Sequence, residues 1–199
     1  MLSCFITRVI MDKAISYCET ALERSKDLDL SMSCARVYSM LVSAYDYKKE
    51  HKKKSAYVNK GLIFVAKEIK KYPKSYEHKR YKANILINSD DKWNTAGALI
   101  DGLLKERDHS GIFILKGRFE KKKGQLNEAV KWFEKARQAY PREFEALALL
   151  NLSETHRELG QYDLALQNCK DILIINPNNR FAKDEIKLIK KEQPKTKKK

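Results

Sequence analysis

What most constrains this 199-residue chain is a recurrence. Pro73, Pro141 and Pro177 lie 68 and 36 residues apart, and Ala96, Ala129 and Ala165 lie 33 and 36 apart. Both spacings are close to one or two periods of a unit of about 34 residues. Each alanine follows a turn-forming residue, Asp91, Gly124 or Gly160, so each unit reads as helix, turn, helix. In the central unit, residues 112–122 carry apolar side chains at helical spacing until Gly124 interrupts them. Ala129, Trp132, Phe133 and Ala136 then form a second stripe that Pro141 ends. The next unit repeats this with Leu147, Leu150 and Leu152, a break at Gly160, and Tyr162, Ala165, Leu166, Cys169 and Ile172 before Asn176-Pro177. Such a hairpin cannot bury its stripe alone and must stack on neighbours. Four prolines and seven glycines are too few for the turns of an all-β chain, so the expected fold is all-α.

These residues resemble the tetratricopeptide repeat family. Gly117, Gly124, Ala129, Phe133, Ala136 and Pro141 fall on its small, turn, small, bulky, small and terminal positions. Leu152, Tyr162, Ala165 and Pro177 do the same one unit later. One unit earlier Ala83, Trp93 and Ala96 match, with Asp91 where glycine usually stands and Asp108 where proline does. The resemblance implies an α-solenoid of stacked antiparallel hairpins wound as a right-handed superhelix. Expected units are 77–109, 110–145 and 146–179, followed by a capping helix over 180–193 and a disordered basic tail over 194–199. Residues 1–76 read as degenerate helices of the same type. Asp12 to Leu22, with Ala14 and Ala21 seven apart, looks like the second helix of a hairpin without its first. A helix around 30–47, a basic connector over 48–54 and a helix over 55–72 follow. The unpaired first helix suggests a fragment of a longer protein, self-association with a second copy, or a degenerate end.

The resemblance also implies a non-enzymatic adaptor or assembly scaffold that holds a partner peptide or helix on the concave side, lined by the first helix of each unit. The positions are His78, Tyr81, Ile85 and Asn88, then Ile114, Arg118, Lys121 and Lys122, then Leu147, Leu150, Asn151, Glu154 and Arg157. Their mixture of apolar and basic character suits a segment with apolar anchors and acidic residues, although Ile114 and Leu150 also read as core between repeats. The clamp by which some family members hold acidic chaperone tails is not reproduced. Ile114 and Arg118 stand where Lys and Asn belong, and Phe181 and Glu185 stand where basic residues belong; only Asn151 fits.

The net charge of +15 is concentrated. Residues 48–82 hold thirteen Lys/Arg against three Glu, and residues 180–199 hold nine against three acids. In the first stretch Lys48, Lys49, Lys52, Lys53, Lys54, Lys70, Lys71, Lys74, Lys79 and Arg80 are interleaved with Tyr57, Tyr72, Tyr76 and Tyr81. That composition neutralises phosphates and offers rings for stacking, so nucleic-acid association through 48–82 is the rival to a solvated face or an acidic partner. No glycine loop for nucleotides occurs, and the adjacent acids Asp90-Asp91 and Asp184-Glu185 read as solvated charge, the first as turn and N-cap of the helix from Lys92. Cys4, Cys18, Cys34 and Cys169 share no metal-ligand spacing with each other or the four histidines, so neither metal nor cofactor is expected and the thiols read as free. Asn151-Leu-Ser153 matches a glycosylation sequon but falls on an expected helix. The opening residues are apolar but interrupted by Arg8 and too short to span a bilayer. The expected setting is cytoplasmic, with the nucleus as alternative.

Overall fold

The computed structural model describes residues 2–24, 31–139 and 144–194. Side chains of 2–11 and 31–32 lie outside that description, as do Tyr140, Pro141 and the 195–199 tail. The described residues form ten α-helices: α1 (Leu2–Arg24), α2 (Ser31–Tyr47), α3 (His51–Lys71), α4 (Tyr76–Asn88), α5 (Ala96–Glu106), α6 (Ser110–Lys122), α7 (Leu126–Gln138), α8 (Glu145–Glu158), α9 (Tyr162–Ile175) and α10 (Arg180–Glu192). A 3₁₀ turn, Trp93–Thr95, precedes α5. The fold is all-α, built of hairpins stacked in chain order within each of two compact units, Met1–Glu106 and Arg107–Lys199. The expected unit 77–109 corresponds to α4 and α5, and α4 packs on both α2 and α3.

In the second unit the turns follow from glycine. Gly124 and Gly160 have φ of 79° and 73°, a region costly for any residue with a Cβ. Each sits just past a helix end. Gly124 N–H donates to the Lys121 carbonyl and Gln125 N–H to that of Glu120; Gly160 N–H donates to Arg157 and Gln161 N–H to His156. These crossed bonds satisfy the last carbonyls of α6 and α8 and reverse the chain in three residues.

The first unit contains the same turn without glycine. Lys49 has φ of 60°, Lys49 N–H donates to the Asp46 carbonyl, and Glu50 N–H donates to that of Tyr45. The α2–α3 turn therefore has the same left-handed residue and the same crossed hydrogen bonds as the α6–α7 and α8–α9 turns, with Lys49 at the place of Gly124 and Gly160. The expected basic connector 48–54 is corrected to residues 48–50, because His51 already begins α3. Counting from the turn, Val42 faces Val58, Gly117 faces Phe133, and Ser153 faces Cys169. In the central hairpin a Cβ on Gly117 would lie 2.4 Å from Phe133 Cε1; in the next, Ser153 Oγ is 3.0 Å from Cys169 Sγ. Small opposite large, or two middling residues, fills the same space at interior density.

Five residues after each turn lie Ala129, Ala165 and Lys54. The alanines are fully buried, and Lys54, at 2 % exposure, is buried too. A buried ammonium requires partners; Lys54 Nζ is 3.0 Å from Asp46 Oδ1 and also bonds Asp90 Oδ1. Asp90, its side chain 62 % exposed, stays largely solvated as expected and also ties the end of α4 to the α2–α3 hairpin. The turn is capped instead by Ser89, whose hydroxyl accepts from Lys92 N–H. Helix α1 lies on α2 through Ile15 and Leu22, which join Leu41 and Tyr45. Its Glu19 carboxylate accepts from both Tyr45 and Tyr57, at 2.9 and 2.6 Å, whose rings stack. Burial and then this hydrogen bond raise both phenols well above the ordinary value. Cys18, Cys34 and Cys169 are free thiols, and burial raises those of Cys18 and Cys169.

Candidate functional site

The first helices of the second unit, α6, α8 and α10, present one face in common register. Along it the charged side chains meet one another. Lys121 Nζ of α6 is 3.0 Å from Glu158 Oε1 and 3.4 Å from Glu154 Oε2 of α8. Arg157 of α8 reaches α10, its Nε 2.7 Å from Glu185 Oε1 and its Nη1 3.0 Å from Glu192 Oε2. Burial works against its cation, but the hydrogen bonds of the two carboxylates outweigh it and hold the guanidinium above its ordinary value. Glu185, 8 % exposed, is pushed up by burial and drawn down by Arg157. Its expected solvated role is corrected: it is the inner half of an inter-helix pair. Lys121 and Arg157, read from sequence as contacts for an acidic segment, are thus already matched by acids of the neighbouring helix.

The apolar positions divide. Ile114 is 3 % exposed and belongs to the core. Leu150 is half-buried, and Leu147 is 44 % exposed. Asn151 is buried, its side-chain amide donating to the Leu147 carbonyl at 2.7 Å, which orients it along its own helix. Arg118 and Glu154 remain half-buried and Lys122 exposed.

In the first unit, three of four expected contacts are internal. His78 is buried with its ring stacked on Tyr72 and its Nδ1 2.8 Å from Ser75 Oγ. Ile85 is fully buried in the α2–α3–α4 core. Asn88 donates to the Asn84 carbonyl and toward Ser43 Oγ, and Asn84 bonds Ser39 Oγ. A polar seam of amides and hydroxyls therefore joins α4 to α2. The pattern 39, 43 against 84, 88 was a missed signal: pairs four apart lie on one helix face. Only Tyr81 stays half-exposed, under the Arg80 guanidinium at 4.7 Å.

The basic stretch is partly consumed by the same logic. Lys54 is buried; Lys48 pairs with Asp12 and Glu50, Lys53 with Glu50, Lys71 with Glu68, Lys79 with Glu106 and Arg80 with Glu77. Lys49, Lys52, Lys70 and Lys74 are exposed. Tyr57 and Tyr76 are half-buried and buried, so neither presents an open face for stacking. Among the described residues no cluster of His, Cys, Asp and Glu has the makings of a metal site, and no helix is long and apolar enough to cross a membrane.

No curated protein matches the chain. Residues 110–142 and 146–179 match the sequence model of the tetratricopeptide repeat, and those spans are the hairpins α6–α7 and α8–α9. These two hairpins of the second unit are thus similar to tetratricopeptide repeats, which generally mediate protein–protein interaction or scaffolding.

Proposed function

We propose that this protein is a scaffold that holds a segment of a partner protein on the face of α6 and α8. The observation that supports this is the pair Leu147, exposed, and Leu150, half-buried, on a face where Lys121 and Arg157 are neutralised from within. Apolar side chains ringed by satisfied polar groups are what a peptide's anchors displace water from, while the ion pairs set the rim. Affinity there comes from the anchors, with Arg118 and Lys122 adding any acidic preference, and no chemistry on the partner is needed. Nucleic-acid binding through 48–82 remains the rival; the pairing of its lysines weakens it.

The test is capture of partners by full-length chain at low and high salt, beside a Leu147→Ser, Leu150→Ser variant and a Lys52→Glu, Lys70→Glu, Lys74→Glu variant. A protein retained at high salt and lost only with the leucine variant supports the scaffold. Recovery of nucleic acid that salt removes, lost only with the lysine variant, transfers the function to 48–82.

A further inference from the structure

Helix α3 divides into a buried and a solvent side. Lys54, Val58, Gly61, Val65 and Glu68 are buried, each three or four residues from the next, on the side that packs on α2 and α4. The opposite side centres on Ile63, which is 74 % exposed. Within about 60° of it, at about 100° per residue, stand Lys52, Ala56, Asn59, Lys60, Lys67 and Lys70, all exposed, with half-buried Ala66 at the edge. The one acid in the helix, Glu68, lies on the buried side, so nothing on the outer stripe offsets its four lysines. Among the described residues none of the four reaches a carboxylate. The flanking lysines are the ones that pair, Lys53 with Glu50 and Lys71 with Glu68. Lys92 adds a cation beside the stripe, its Nζ 3.2 Å from Asn59 Oδ1. From Lys52 to Lys70 the stripe runs about 27 Å.

We infer that this face of α3 rests on an anionic membrane surface, its four lysines meeting lipid headgroups and Ile63 entering the interface. Such a contact is independent of the scaffold face on α6 and α8. Lysines left unpaired within a Debye length of an anionic surface are drawn to it, and a straight row of them on the outside of a helix matches a plane. Ile63 stands among them with no core to join, where the acyl boundary would bury it. A phosphate backbone would gain nothing from Ile63. The stripe also lacks the groups that read nucleic acid: it holds no arginine, and the Tyr57 ring is stacked on Tyr45 within the fold. A partner helix needs a groove, which one convex helix face does not provide. With Ala56 and Ile63 as its exposed apolar side chains, the stripe holds the chain at headgroup level and reversibly, without inserting a whole apolar face.

The probe is phosphatidylcholine vesicles with or without phosphatidylserine, sedimented with the full chain at rising salt. Binding is expected with phosphatidylserine alone, weakening as salt rises. One lysine near such a surface is worth about fivefold in partition, so Lys52→Glu, Lys60→Glu, Lys67→Glu, Lys70→Glu together should weaken binding about a hundredfold or more. Ile63→Ser should weaken it about fivefold. A charge-matched control, Lys170→Glu, Lys183→Glu, Lys190→Glu, Lys191→Glu, should stay within about threefold of the parent. Each variant is first shown folded by circular dichroism. The proposal is overturned if the chain ignores phosphatidylserine or binds both vesicles equally, if the α3 lysine variant binds as the parent does, or if the control loses as much. It also fails if Ile63→Ser leaves binding unchanged, or if a DNA duplex outcompetes the vesicles at equal salt through the same lysines, which would assign the stripe to nucleic acid.

Discussion

Replacing Gly117 with alanine sets helix propensity against packing, and the structure decides the sign. Alanine in the interior of α6 is worth about 1 kcal/mol over glycine by propensity. The added Cβ, however, would meet Phe133 at 2.4, 2.6 and 2.9 Å, where carbon pairs prefer about 3.5–4.0 Å. Phe133 is fully buried, so its ring must move by about 1 Å against a closed core, and overpacking of this kind costs about 1–3 kcal/mol or more. The expected net is a loss of about 1–2 kcal/mol. Urea denaturation followed by Trp132 fluorescence in a Trp93→Phe background reads the second unit specifically. Phe133→Leu removes the ring, so in the double variant the alanine should cost little or even stabilise, giving a coupling energy of about 1 kcal/mol or more. If Gly117→Ala alone matches or exceeds the parent in stability, the register pairing of Gly117 with Phe133 is refuted.

Lys49→Gly relieves a left-handed residue at a turn and should stabilise the first unit by about 1 kcal/mol, raising its urea midpoint, whereas Gly160→Ala should lower that of the second unit. Lys54→Met should leave stability within about 1 kcal/mol, because a buried ion pair is replaceable by an apolar isostere; Asp46→Asn with Asp90→Asn strands the ammonium and should cost about 3 kcal/mol by chemical denaturation. Burial raises the Glu120 carboxyl, but hydrogen bonds from Lys123 and Lys116 outweigh it and leave it below the ordinary 4.5. Its contribution is therefore present above that value and lost as pH falls below it; Glu120→Gln should flatten the decline in stability on acidification below pH 4.5, measured by denaturant titration at successive pH values.

Much of the second unit was legible before any coordinates. The recurrence of Gly124 and Gly160 and of Ala129 and Ala165 reports backbone conformation and close approach, demands that glycine and alanine meet in almost any context. The helices α6 to α10 accordingly lie where the pattern places them. The α2–α3 hairpin was hidden because its turn uses Lys49 and its small position holds Lys54, residues that local chemistry assigns to a solvated connector. Only tertiary structure reveals Lys54 as buried, since its partners Asp46 and Asp90 come from other elements. The same holds for the candidate site. Helical spacing put Lys121, Glu154 and Arg157 on one face, but whether a surface cation is available to a partner depends on the charges that the neighbouring helix brings within about 4 Å, and those neighbours are set by stacking. Sequence by itself determined the repeat, its period and its turn chemistry, which are local; tertiary structure decided which charges are spent inside the fold, because only stacking brings the acids of one helix to the cations of the next.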